Sequence, residues 1–343
     1  VNFNGNLMTT GMGILPHTDI NKALDVAFRV DVPFWPQLPH IDYREDMYAQ
    51  FSEHFPGMRI DLESKRISFD KGGFYEEYPD FFERIDDEEL YAISPDFSRV
   101  FRAFLSRDLG KYPAIRGQVI GPISFGLKIT DQDDKPIIYD IEIRGTLFDF
   151  ISRKVNHQYR LLVQKNPSAF IFLDEPGLEF IFTSISGYTD VTAMRDIKAA
   201  LEATDGQKGV HLCGNPDWDF LLKLEIDILS FSAFHWGNLF VKYLDGIRSF
   251  LDHGGIISWG IVPAGFDDFK GETVQKAIDR IESLWDALDK KGVSREILVP
   301  QGMLMPATCS LINPDGDATV ERAYDTLIEV AGSLRSRYRS LMK

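Results

Sequence analysis

Ala169-Phe170-Ile171-Phe172-Leu173-Asp174-Glu175-Pro176 decides the fold. The run opens with apolar residues that do not alternate with polar ones, and two carboxylates and a proline end it. A short stretch of this kind suits a strand buried on both faces, as in a parallel sheet covered by helices. The pattern recurs on either side, at Leu7–Met12, Asp31–Trp35, Ala114–Ile120, Gly209–Cys213, Ile226–Phe231, Gly255–Gly260 and Ile297–Gly302. Between most of these runs, apolar residues return every three or four positions. Leu147, Phe150, Ile151, Val155 and Leu162 do so, as do Val274, Ile278, Ile281 and Leu284, and Val320, Ala323, Leu327, Val330 and Leu334. Eight alternations of strand and helix predict an α/β protein, a single (β/α)8 TIM barrel over residues 1–343; an open doubly wound sheet is the competing fold.

One connection is too long for a simple barrel unit. It runs from Pro36 to Pro113, after the second candidate strand, and marks an insertion at about 40–110. Within it, Met58–Leu62 and Arg66–Asp70 alternate apolar and polar residues around Glu63-Ser64-Lys65, the pattern of a β-hairpin.

Composition limits the partners. The formal net charge of −15 argues against nucleic acid, which needs a basic stripe. Two cysteines in 343 residues make no disulfide framework, and a cytoplasmic location is expected. No apolar run is long enough to span a membrane, and the first residues, Val1-Asn2-Phe3-Asn4-Gly5, carry no signal-peptide pattern.

The chemistry gathers at strand ends. His211 and Cys213 stand two apart at the end of one candidate strand, so both side chains point to the same side. Cys309, the other cysteine, follows the last candidate strand. Barrels place their active sites at the C-terminal ends of their strands, where loops distant in sequence converge. Two sulfurs and one imidazole form a zinc-type ligand set with a position left open, as in catalytic sites. Against this, free cysteines often serve simply as small core residues.

These residues resemble those of cobalamin-independent methionine synthase, in its catalytic C-terminal half, and of its relatives. The relatives include methylcobalamin:coenzyme M methyltransferases and, more remotely, uroporphyrinogen decarboxylase. The resemblance rests on Thr9-Thr10-Gly11-Met12-Gly13-Ile14-Leu15-Pro16, Phe172-Leu173-Asp174-Glu175-Pro176, His211-Leu212-Cys213 and Cys309, and it spans nearly the whole chain. It implies a zinc ion on His211, Cys213 and Cys309, with Asp174 holding the substrate's amine. Departures accompany it. No carboxylate stands in Leu229–His235, where the synthases have a further zinc ligand. Ile14 and Ala49 occupy apparent amino-acid-binding positions, and no histidine follows Trp259-Gly260-Ile261-Val262-Pro263-Ala264, where folate-dependent members place a proton donor. The fourth zinc position is left to water, a substrate thiolate, His235 or a carboxylate from elsewhere.

The expected activity is zinc-dependent methyl transfer: a small thiol is activated as a zinc thiolate and methylated from methylcobalamin or another methylcorrinoid, possibly carried by a separate corrinoid protein. Asp174 is assigned as the catalytic-site carboxylate that binds the thiol's polar end, its alternative being a helix cap. Glu175, His17 and Trp259 are candidate substrate contacts. A decarboxylase-like lyase acting on a tetrapyrrole, and a zinc- or corrinoid-binding protein without turnover, are the competing readings.

Overall fold

A computed structural model describes residues 3–181 and 188–342. Among the described residues there are nine strands: β1 (Met8–Thr9), β2 (Met58–Asp61), β3 (Arg66–Phe69), β4 (Arg116–Ile120), β5 (Phe170–Asp174), β6 (Gln207–Leu212), β7 (Ile228–Phe231), β8 (Ile256–Val262) and β9 (Gly302–Pro306). Seven of them form one parallel sheet in the order β1-β9-β8-β7-β6-β5-β4, and helices lie outside it. β2 and β3 pair antiparallel, Met58 with Phe69 and Asp61 with Arg66, which is the hairpin expected in the insertion. No helix among the described residues is long and apolar enough to cross a membrane.

The sheet curls into a barrel, and the gap between β1 and β4 is bridged by the second candidate strand. Val32 N donates to Thr9 O at 2.9 Å, and on the other side Arg116 N donates to Pro33 O at 2.9 Å. Isolated parallel bridges join Phe34 to Arg116 and Gln37 to Ile14. Asp31–Trp35 is thus in place but forms no regular ladder strand. Pro33 and Pro36 have no N–H to give a neighbour, and proline interrupts the pairing of any strand that is flanked on both sides.

The last strand is displaced from its expected position. Ile297–Gly302 is not a strand: Arg295–Leu298 is a short helix, and the strand begins at Gly302. The apolar residues of Ile297-Leu298-Val299 fit either element, and the Met303-Leu304-Met305 run next to it supplies the buried strand. The shift brings Cys309 within three residues of the strand's end.

Side-chain parity divides the core in two. Val32, Ala114, Phe170, Phe172, Ile228, Ile256 and Met303 form a small apolar cluster of their own, the dry lower filling of the barrel. The alternate residues face outward. Phe231 and Trp259 pack on Phe240 and Trp285 of the surrounding helices, with ring centroids 5.9 Å apart for Phe240–Trp259 and 6.4 Å for Trp259–Trp285.

Above the apolar floor lies Arg116, 1% exposed. Its guanidinium donates to Thr10 Oγ1 at 3.1 Å, Gln118 Oε1 at 3.0 Å and Gly11 O. It also sits over the rings of Phe34 and Phe172, 5.1 and 5.0 Å from their centroids. Burial pulls its pKa down to about 10. Asp174 is the carboxylate that acts on it most strongly, opposing that shift without forming an ion pair.

Candidate active site

At the C-terminal ends of β5, β6 and β7 the inward positions turn polar. Asp174 closes β5 and pairs in register with His211 of β6, which in turn pairs with Ser230 of β7. His211 is 4% exposed. Its Nδ1 lies 2.8 Å from Ser230 Oγ, and that hydroxyl donates onward to Met305 Sδ at 2.7 Å. The serine proton is therefore committed, so Nδ1–H donates and the Nε2 lone pair is left free. That lone pair faces Cys213 Sγ at 3.1 Å. Burial keeps the imidazole neutral, its pKa pulled down to about 3.

Cys213 also meets Cys309, and its Sγ stands between the imidazole and the second thiol. The contact with Cys309, then burial, pushes the Cys213 thiol up, while the hydrogen bond from Cys213 draws Cys309 down. The three donors form an open row with Cys213 in the middle. Among the described residues, the group of such side chains whose donor atoms all lie within 4.8 Å is a different one, His17 with Asp317 and Glu321. Trp236 Nε1 donates to Cys213 O at 2.9 Å and so ties the helix Ala233–Phe240 to the strand end.

Asp174 is half-buried at the same mouth. Burial raises its carboxyl to about 8; Arg116 opposes the shift, while Cys309 and Glu175 add to it. The hydroxyl of Tyr48, from the insertion, feels the charges of both Glu175 and Asp174, which places the insertion against the mouth.

Glu175 is used differently from its neighbour. It is fully buried; Oε1 accepts from Ile123 N at 3.0 Å, and Oε2 accepts from Ser124 N at 2.8 Å and Ser124 Oγ at 2.6 Å. The helix Pro122–Lys128 opens on Gly121, which has no side chain to cap it. A Cβ there would lie 2.1 Å from Glu175 Cδ, so glycine admits the carboxylate that caps the helix instead. Burial still raises this carboxyl to about 7. Both oxygens are engaged, and neither faces the cleft. Glu175→Gln is expected to set an amide NH2 against N–H and O–H donors and lower stability by about 1–3 kcal/mol in urea unfolding. A variant as stable as the parent would show that the cap contributes nothing.

Trp259 also departs from its expected role. It is fully buried in the helical layer described above, so it does not line the mouth. His17 lies after β1 beside Glu321, at 3.4 Å, separate from the Asp174–His211–Cys213–Cys309 group. His235, a candidate fourth ligand, bonds Ser232 Oγ through Nδ1 at 2.8 Å, and its Nε2 lies 3.6 Å from Asp268 of the short helix Phe266–Phe269 after β8. Glu179 packs its carboxylate against Gly214, the residue after Cys213: a Cβ at Gly214 would lie 2.2 Å from its Oε2.

Sequence reasoning missed Arg116, Ser230 and Tyr48. The first two carry a faint signal, a lone charge or hydroxyl at an inward position of an otherwise apolar strand. Tyr48 carries none, because its place depends on how the insertion folds back.

No protein-family model and no curated protein sequence matches the chain. Solved structures do. A B12-independent methionine synthase from a Shewanella species, in complex with selenomethionine, is similar over 97% of this chain and 99% of its own, with a TM-score of 0.59 and 14% identity. A methyltransferase from Methanosarcina mazei is similar over 93% of this chain and 87% of its own, with a TM-score of 0.53 and 10% identity. At these identities the likeness is one of fold: both neighbours share the architecture built here from β1, β4–β9 and the bridging segment.

Proposed function

We propose that this barrel is a zinc-dependent methyltransferase that binds a small thiol at the mouth and methylates it from a methylcorrinoid. One observation carries the reading. His211 has its Nδ1 anchored by Ser230, its Nε2 lone pair open and Cys213 Sγ 3.1 Å away, with Cys309 next in the row and Asp174 alongside. A buried neutral imidazole and two adjoining thiols are soft nitrogen and sulfur donors of the kind zinc takes, and an oriented Nδ1–H is the usual support for a metal-binding histidine. His211, Cys213 and Cys309 would hold the ion. When bound, it would keep an incoming thiol deprotonated at neutral pH, where a free thiol is mostly protonated.

The protein's own residues do the rest. Ser230 fixes the imidazole's tautomer. Asp174, whose carboxyl burial raises to about 8, hydrogen-bonds the polar end of the thiol substrate or is ionised by a cationic end, so that the sulfur is directed toward Cys213 and Cys309. The apolar floor below Arg116 and the packed outer helices keep water from the far side. A methyl group leaving cobalt leaves its electron pair on the metal and needs no proton donor, consistent with the absence of a histidine after β8. The likeness in fold to two methyl-transferring proteins supports the reading.

The test is elemental analysis of the purified protein followed by methylcobalamin turnover against a panel of thiols. Metal-free protein that turns over as fast as metal-loaded protein would end the proposal. Asp174→Asn is expected to leave zinc content unchanged while weakening thiol binding by about tenfold, the loss of one charge-assisted contact. Unchanged thiol affinity in calorimetry would remove Asp174 from the substrate site.

The His235–Asp268 pair favours a second reading. It sets a histidine in the first turn of the helix Ala233–Phe240, after β7, as the candidate proton donor to a leaving nitrogen. Methyl transfer from methylfolate that collapses in His235→Asn would select this reading over the corrinoid.

A further inference from the structure

His17, Asp317 and Glu321 form a second cluster at the C-terminal end of the barrel. His17 lies in the loop after β1; Asp317 and Glu321 begin the helix Ala318–Arg337, which follows β9. One donor atom from each lies within 4.8 Å of the other two. Three ligands about 2.0–2.2 Å from one divalent cation sit no more than about 3.8 Å apart when evenly spread, so closure around an ion needs shifts of up to about 1 Å.

Carboxylates at a helix N-terminus are favoured by the helix dipole alone, and this accounts for acids at 317 and 321 without any ion. Two observations remain. Asp19, Asp46, Asp70, Asp140 and Asp217 each open a helix and accept a backbone N–H through the side chain, whereas Asp317 opens its helix with no side-chain cap. Its carboxylate is directed elsewhere. His17 is 0% exposed, its Nδ1 has no partner, and its Nε2 is aimed at Glu321 Oε1 from 3.4 Å, a long contact for a hydrogen bond. Burial draws the imidazole's pKa down, which keeps a lone pair available.

We propose that His17, Asp317 and Glu321 bind a divalent cation of the Mn2+, Fe2+ or Zn2+ class. The site is separate from the sulfur-containing group and independent of the methyltransferase reading. One imidazole and two carboxylates make a nitrogen–oxygen donor set, which suits harder ions than two thiolates do. A bound ion joins the loop after β1 to the terminal helix and fixes that side of the mouth.

Mn2+ is the probe, because its EPR signal in solution is lost on binding. Titration of zinc-loaded protein is expected to show one saturable site. Asp317→Asn and Glu321→Gln, tested singly and together, are expected to weaken it by more than about tenfold, beyond the lower bound for losing a supporting residue. Asparagine still serves as a helix cap, so Asp317→Asn is the variant expected to keep the fold, as circular dichroism can check. Cys213→Ser is expected to leave Mn2+ binding unchanged. Absence of a saturable site, binding indifferent to Asp317→Asn and Glu321→Gln, or binding lost in Cys213→Ser would each overturn the proposal.

Discussion

Cys309→Ser protein is expected to purify with little or no zinc and to lose methyl transfer by at least about 100-fold, the upper bound for removing a mere supporting partner of a metal site. The exchange is nearly isosteric, but a serine hydroxyl does not ionise at neutral pH and is a harder donor than a thiolate. Cys309 lies in the loop after β9, half-buried, so the change opens little space. Unfolding stability of the metal-free proteins is expected to agree within about 0.5 kcal/mol, as for substitutions outside a packed core. That pairing makes the experiment decisive, because a metal lost with the fold intact assigns Cys309 to the ion. Full zinc occupancy in the variant, measured by elemental analysis, would remove it from the ligand set and leave Cys213 and His211 without their partner.

Arg116→Met is expected to lower stability by about 2–4 kcal/mol. The guanidinium is the donor for Gly11 O, Thr10 Oγ1 and Gln118 Oε1 in the barrel interior. Without it, these acceptors lose their donor, and each unsatisfied buried group costs about 1–3 kcal/mol. The contacts over Phe34 and Phe172 are lost as well. Relief from burying a charge offsets part of this, which is why the expected loss is smaller than the sum. Arg116 also links residues after β1 to β4 across the bridging segment, where backbone hydrogen bonds are fewest. Asp174 loses the cation that holds its pKa down, so its carboxyl titrates still higher. Urea unfolding measures the first effect, and a loss under about 0.5 kcal/mol would show the cation to be dispensable.

Much of the barrel was legible because its strands are buried on both faces and read as unbroken apolar runs. Phe170–Asp174 and Ile228–Phe231 lie inside their expected ranges. The hairpin was legible from alternation on each side of Lys65, which takes the left-handed conformation at its turn, φ 52°. The offset of β9 was not, because Ile297-Leu298-Val299 and Met303-Leu304-Met305 are both apolar and only packing chooses between them. His211 and Cys213 could be placed on one face by spacing alone. The outward direction of Trp259 follows from the same parity, since Trp259 pairs in register with Phe231 while the inward Ser258 pairs with Ser230. What spacing could not show was pairing across the chain. His17 lies 304 positions from Glu321, and Glu175 caps a helix that begins 53 positions earlier.

The segment between β1 and β4 sets where the barrel can breathe. Every other neighbouring pair in the sheet is joined by a ladder, whereas here Val32, Pro33 and Gln37 supply scattered bonds and two prolines supply no donor. Local opening begins where the fewest bonds must break together. Fluctuations of the wall are therefore concentrated on this line, between the loop that carries His17 and the start of the insertion. The continuous ladders from β4 to β9 keep Asp174, His211 and Ser230 in fixed register, so movement taken up by the bridging segment leaves that group in place.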